Sequence, residues 1–200
     1  MEDKKYFKEI SSKTIDLLQK KNNLSEDEQT AYVEFYKNFF NLKYPIENGW
    51  LSPVHLPDIP SIIFPDKEFN NKRSLFSLAY YLLEKNNFNP FHKLKSFETW
   101  QLCEGGPLIL HLISPKGEYH KKILHKDLEI IEVIYPNWWQ SAELGPDASF
   151  VLISHIGMPA FSYEDHEKGD KKKLLSLFPH LKEIIKKFEW NEKKVKHVPY

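Results

Sequence analysis

Between residues 92 and 106 the chain reads HKLKSFETWQLCEGG, so an imidazole, His92, precedes a carboxyl, Glu98, with a glycine turn at Gly105. Two groups of this kind offer two chemistries. As a general acid and base they can pass a proton to and from a substrate once their surroundings set their pKa values apart. As a nitrogen and an oxygen donor they can begin a metal site. Alternate strand residues share a face, so Ser96, Glu98, Trp100 and Leu102 point one way and Phe97, Thr99 and Gln101 the other. A carboxyl on the inner face must be paired, protonated or metal-bound, because an unpartnered buried charge costs several kcal/mol. The plain alternative is that Glu98 accepts structural hydrogen bonds and His92 only fills polar space.

Aromatic residues surround this pair in sequence. Trp50, Trp100, Trp138 and Trp139 could stack on a flat or sugar-like ligand. Trp138 and Trp139 are adjacent, so one points inward and the other out, and core packing is assigned to Trp138. Tyr80 and Tyr81 pose the same choice, and Tyr80 is taken as the pocket residue. His111, in PLILHLI, is a further candidate whose face cannot be read because both faces of that segment are apolar. Glu164, Asp165 and Glu167, with His166 among them, read as a solvated loop, and Lys171, Lys172 and Lys173 as the exposed face of a helix. Cys103 has no cationic neighbour in sequence and reads as a buried structural thiol.

The elements that must position these groups follow from pattern. Residues 5–20 carry a weakly amphipathic helix. Ser25 and Glu28 form an S-x-x-E capping box ahead of Ala31, Val33, Phe35, Tyr36, Phe39 and Phe40, a helix whose aromatic face covers a sheet. Prolines at 45, 53, 57, 60 and 65 rule out a helix there. From Arg73 to Ile156, SLFSLAYYLL, FETWQLC, PLILHLI, EYHKKILH, LEIIEVIY and SFVLISHI are short β segments divided by turns such as KNNFNP, EGG and SPKG. Such regular spacing indicates an antiparallel barrel or sandwich. KKLLSLFPHLKEIIKKF is a C-terminal helix broken near Pro179, and NEKKVKHVPY a polar tail.

The chain has 200 residues, 28 basic and 28 acidic, which argues against a polyanion-binding, nucleic-acid-directed surface. Arg73 is its only arginine, so bidentate phosphate clamps are scarce. One cysteine excludes an internal disulfide, and no apolar run is long enough for a membrane span. With the charged start MEDKKYFKEI, the expectation is a cytoplasmic protein. No phosphate loop, dinucleotide fingerprint, nucleophile elbow or H-E-x-x-H occurs.

Several segments together resemble a known family. Residues 80–112, YYLLEKNNFNPFHKLKSFETWQLCEGGPLILHL, YPNWWQSAEL at 135–144, SHIGMPAFSYEDHE at 154–167, LFPH at 177–180 and, more faintly, ENGW at 47–50 are similar to the cupin superfamily, within it the cupin-5 type. The resemblance implies a mainly β fold, a double-stranded antiparallel jelly-roll barrel, to which the residue pattern adds N-terminal helices and a C-terminal helix. It implies a homodimer with a pocket in the barrel mouth, and it turns Glu98 inward. Leu94 stands at the family's second histidine and Gln140 at its third, while Phe97, Ala160 and His166 replace its Asp, Gly and Phe. A metal is therefore not favoured. If one binds (iron, manganese, zinc or nickel), His92, Glu98 and Gln140 hold it.

The expected organisation is a helical extension over 1–24, one cupin domain over 25–190 and a polar tail over 191–200. The expected function is binding of a small polar or carbohydrate-like metabolite. If catalytic, it is a metal-independent isomerase or epimerase in which His92 and Glu98 trade a proton. Trp50, Tyr80, Ser96, Trp100, His111, Trp139 and Gln140 shape the pocket. The alternatives are a metal-dependent dioxygenase or isomerase that has recruited another histidine, and a non-catalytic binding or sensing module.

Overall fold

The computed structural model describes residues 25–43, 47–56, 69 and 73–190. The segments 1–24 and 191–200, and most of the proline-rich loop, lie outside the described residues. Helix α1 (Glu26–Phe39) starts at the anticipated capping box: Ser25 Oγ accepts from the Glu28 amide at 3.3 Å, and Glu28 Oε2 accepts from the Ser25 amide at 2.9 Å. Among the described residues ten strands follow: β1 (Trp50–Leu51), β2 (Ser77–Glu84), β3 (Phe88–Lys93), β4 (Phe97–Gly105), β5 (Leu108–Ile113), β6 (Tyr119–Leu124), β7 (Ile131–Ile134), β8 (Trp139–Leu144), β9 (Phe150–Met158) and β10 (Glu167–Lys168). Helices α2 (Lys171–Leu177) and α3 (Lys182–Lys187) come after β10, divided by a single tight turn at Pro179 where the sequence anticipated a break.

The strands form two antiparallel five-stranded sheets, ordered β1-β2-β9-β4-β7 and β10-β3-β8-β5-β6. No strand of one sheet pairs with a strand of the other among the described residues, so this jelly roll is a two-sheet sandwich. Tyr81, Leu83, Trp100, Leu102, Leu110, Ala142 and Ile153 belong to the core packed between the sheets. On the outside of the first sheet lie Tyr32, Val33 and Tyr36 of α1, against Leu82, Phe150 and Leu152. On the outside of the second, Leu174, Phe178, Ile185 and Phe188 pack on Phe91, Ile113 and Trp139. Each such fully buried apolar side chain contributes about 1.5–3 kcal/mol.

Glycine sets one turn and one close approach. Gly105 (φ +72°) and Gly106 (φ +85°) carry the chain from β4 to β5, and a Cβ on Gly105 would meet the Phe150 carbonyl oxygen at 2.4 Å. Gly49 lies against the Tyr81 ring, where a Cβ would come within 2.4 Å of its atoms. Tyr81 Oη also donates to the Glu47 carbonyl at 2.9 Å, which pins the loop ahead of β1 onto the sheet.

Candidate functional site

The inward rows of the sandwich change from apolar to polar toward one end. Along β4 the row runs Leu102, Trp100, Glu98; along β9, Ile153, His155, Gly157; along β2, Tyr81, Ala79, Ser77; along β8, Ala142, Gln140. Register keeps these ends together, since Trp100 pairs with His155, Ala79 with His155, Glu98 with Gly157 and His92 with Gln140. At this end lies a cavity of about 60 Å³, lined by Glu47, Ala79, His92, Leu94, Glu98, Trp100, His155, Phe161, Tyr163 and His166 among others. That is room for a few waters or a small polar ligand.

Hydrogen bonding fixes the carboxyl on the β4 wall. Indole nitrogen can only donate, so the Trp100 Nε1 contact at 2.8 Å orients the buried Gln140 amide with Oε1 toward it. The amide nitrogen then donates to Glu98 Oε2 at 2.7 Å, and Trp100 Nε1 also reaches that oxygen at 3.2 Å. Glu98 Oε1 instead lies 3.7 Å from His155 Nδ1. Burial raises the Glu98 pKa above the ordinary carboxyl value, against the pull of His92 and helped by Glu47. His155 is lowered to about 4 by burial, which outweighs Glu47. Thr99 O, at 3.2 Å, accepts from His155 Nδ1, so the neutral ring keeps its proton there and leaves Nε2 as the basic nitrogen.

The facing wall is built around Glu47. His166 Nε2 lies 3.0 Å and His92 Nε2 3.9 Å from Glu47 Oε1, and the two imidazoles stack with centroids 5.2 Å apart. Asn89 Nδ2 donates to Glu47 Oε2 at 3.1 Å. Asn89 and His92 both turn inward despite odd spacing because the β3–β8 register shifts between them, at Pro90, which has no N–H to give the ladder. Burial disfavours the Glu47 carboxylate, but His92 and His166 outweigh it and hold the carboxyl below the usual range. Burial lowers the His92 pKa despite Glu47. Donor-type atoms of Glu47, His92 and His166 lie within 4.8 Å of one another, a nitrogen-rich set suited to iron, manganese, zinc or nickel.

The structure brings His92, Glu98, Trp100 and Gln140 to this end of the sandwich and seats Ser96, 3 % exposed, just ahead of β4, away from the cavity lining. Four expected pocket residues sit elsewhere, each for a reason of alternation or cover. Trp139 points out beneath α2 and α3, and Trp138 packs inward, because Gln140 faces in and neighbours alternate. His111 likewise faces out, between Tyr119 Oη at 2.7 Å and Glu143 Oε1 at 3.1 Å. Tyr80 stacks on Phe40 at 4.2 Å under α1, while Tyr81 takes the inner face. Trp50 packs with the α1 layer, below Lys37 Nζ at 4.3 Å.

Other expectations change too. Gln140 has both amide ends committed to Trp100 and Glu98, and Leu94 lines the cavity where a histidine would stand, so the family's motif positions do not assemble a ligand set. Cys103 is exposed rather than buried, since the β4–β9 register shifts between Leu102 and Glu104. The acidic run is no ordinary solvated loop: Asp165 is buried and accepts from Arg73 Nη2 at 3.3 Å, and His166 turns into the site. Glu47, Asn89, His155 and His166 escaped the sequence reading as site residues. ENGW and SYEDHE were the only signals, and neither shows which strand lies opposite.

The family model described as "Cupin superfamily (DUF985)" matches residues 16–169, and the chain belongs to that family. Among solved structures, the chain is similar to a Shewanella oneidensis protein at 24% identity and TM-score 0.66, covering 80% of this chain and 98% of that one. It is also similar to a hypothetical protein from Leishmania major at 22% identity and TM-score 0.70, covering 79% and 98%. These likenesses concern the fold. No curated protein matches the chain. Among the described residues, no helix is long and apolar enough to cross a membrane.

Proposed function

We propose that the cavity binds a small polar metabolite, of hydroxy-acid, keto-acid or sugar type, and moves a proton on it in an isomerase- or epimerase-class reaction. The observation carrying this reading is that Glu98 and His155 line one cavity, with Glu98 Oε1 3.7 Å from the ring's Nδ1. Two donors already serve Glu98 Oε2, so Oε1 is the oxygen that carries the acid proton. His155, with Nδ1–H given to Thr99 O, offers Nε2 as the base. Trp100 and Gln140 hold the acid in place, and Leu94 and Phe161 supply apolar wall. His92, the base expected from the sequence, faces Glu47 instead. The size of the cavity argues for a ligand of few heavy atoms.

The same reading includes a homodimer. Its support is the row of exposed apolar side chains at the edges of the two sheets: Ile123 on β6, Ile130 beside β7, and Ile131 and Val133 on β7.

A panel of two- to six-carbon hydroxy acids, keto acids and sugars, incubated with the protein in deuterated water, tests the catalytic part. At least one member should shift the Trp100 indole N–H resonance and take up deuterium at carbon, with Glu98→Gln losing roughly 100-fold or more of that exchange. Binding without exchange would leave a binding or sensing module. No perturbation by any member would overturn the reading altogether.

A further inference from the structure

We infer that Glu47, His92 and His166 form a divalent transition-metal site, made of one carboxylate oxygen and the two Nε2 atoms. It lines the same cavity as the proton-transfer pair, shares no residue with it, and uses only one residue of the family's first motif.

The argument begins with the His92 tautomer. Its Nδ1 is 3.0 Å from the Pro90 carbonyl oxygen, which can only accept, so the Nδ1 proton is committed there. In the neutral ring Nε2 is then a lone pair, and it faces Glu47 Oε1 at 3.9 Å, beyond hydrogen-bond reach. A lone pair facing a carboxylate oxygen at that separation is an arrangement that a bridging cation would relieve. His166 Nε2 reaches the same oxygen at 3.0 Å, and its ring lies nearly parallel to that of His92, at 21°.

The surroundings match what metal sites require. A ligating histidine almost always gives its other N–H to a carbonyl or carboxylate, as His92 does to Pro90. A ligating carboxylate is itself held by a donor, as Glu47 is by Asn89, which is 1 % exposed. Three elements supply the donors: the loop ahead of β1, strand β3, and the turn before β10, whose Lys168 pairs with His92. Two imidazoles and one carboxylate leave coordination positions for water or a ligand and suit iron(II), manganese(II) or cobalt(II).

Chelator-treated protein titrated with cobalt(II) and with manganese(II), followed by calorimetry and by the cobalt absorption bands, tests the site without any turnover. Saturation at one ion per chain is expected. Glu47→Gln and His166→Phe should weaken binding by more than about 100-fold and Asn89→Ala by roughly 10- to 100-fold, while surface His120→Ala should leave it unchanged. Copper(II)-loaded wild type gives a readout independent of any variant's folding: nitrogen hyperfine coupling from two imidazoles. Failure of both ions to saturate, equal affinity in His166→Phe, or coupling from fewer than two imidazoles would overturn the site. In wild-type protein, saturation by cobalt(II) with no response to the acid and sugar panel, or the reverse, separates this inference from the proton-transfer reading.

Discussion

Gln140 couples the two sides of the acid's environment, because a single amide accepts from Trp100 and donates to Glu98. Gln140→Leu should take one hydrogen bond from each partner, leaving only the longer Trp100–Glu98 contact, and cost roughly 1–3 kcal/mol in a denaturant titration. It should also raise the Glu98 pKa further, since a donor to its charged form is lost. His155 sets a second expectation. Its pKa falls from 6.5 in the unfolded chain to about 4 when folded. Between those values the unfolded chain binds more protons, so stability is full above pH 6.5 and is lost as the pH drops toward 4. The loss amounts to about 3 kcal/mol. His155→Gln should flatten that acid slope; an unchanged slope would mean the ring is not buried neutral. Glu98, raised by burial, works with the opposite sign, losing stability as pH rises through its folded value, so the two variants are measured separately.

Elements decide which residues reach the site. Gly49 lets the Glu47 loop lie on Tyr81, and Gly49→Ala must push a methyl into that ring. A cost of about 1–3 kcal/mol is expected by thermal or chemical unfolding, together with weakened metal binding, because Glu47 moves with its loop. Trp139→Ala, by contrast, should cost about 3–5 kcal/mol and leave the cavity's ligand response intact, since that ring serves α2 and α3. The sequence made most of this architecture legible: alternation in FETWQLC placed Glu98 and Trp100 on one face, and the S-x-x-E box located α1. It misread KNNFNP as a turn alone, because asparagines and a proline mask a strand that bulges at Pro90 and carries His92. It chose Trp139 beside Gln140 although neighbours on a strand cannot share a face. Glu47 and His166 were beyond local pattern, as their partnership depends on loops brought together by β10 pairing with β3.

At the scale of the molecule, two helical covers leave one flank of the sandwich without a cover among the described residues. The exposed Ile123, Ile131 and Val133 lie on strands that end their sheets, where unpaired backbone invites another chain. Light scattering should report a dimer for the wild type and a monomer for Ile131→Glu combined with Val133→Lys; a monomeric wild type would remove the homodimer from the account. The cavity lies at the end where four inward rows turn polar, and the whole functional reading depends on that end being open to a ligand. The most direct measurement is a crystal structure of the protein as purified, without chelation or stripping. The account predicts density for a small polar molecule against Glu98 Oε1 and His155 Nε2; a hollow plugged by side chains, or a Glu98 carboxyl turned to bulk solvent, would contradict it.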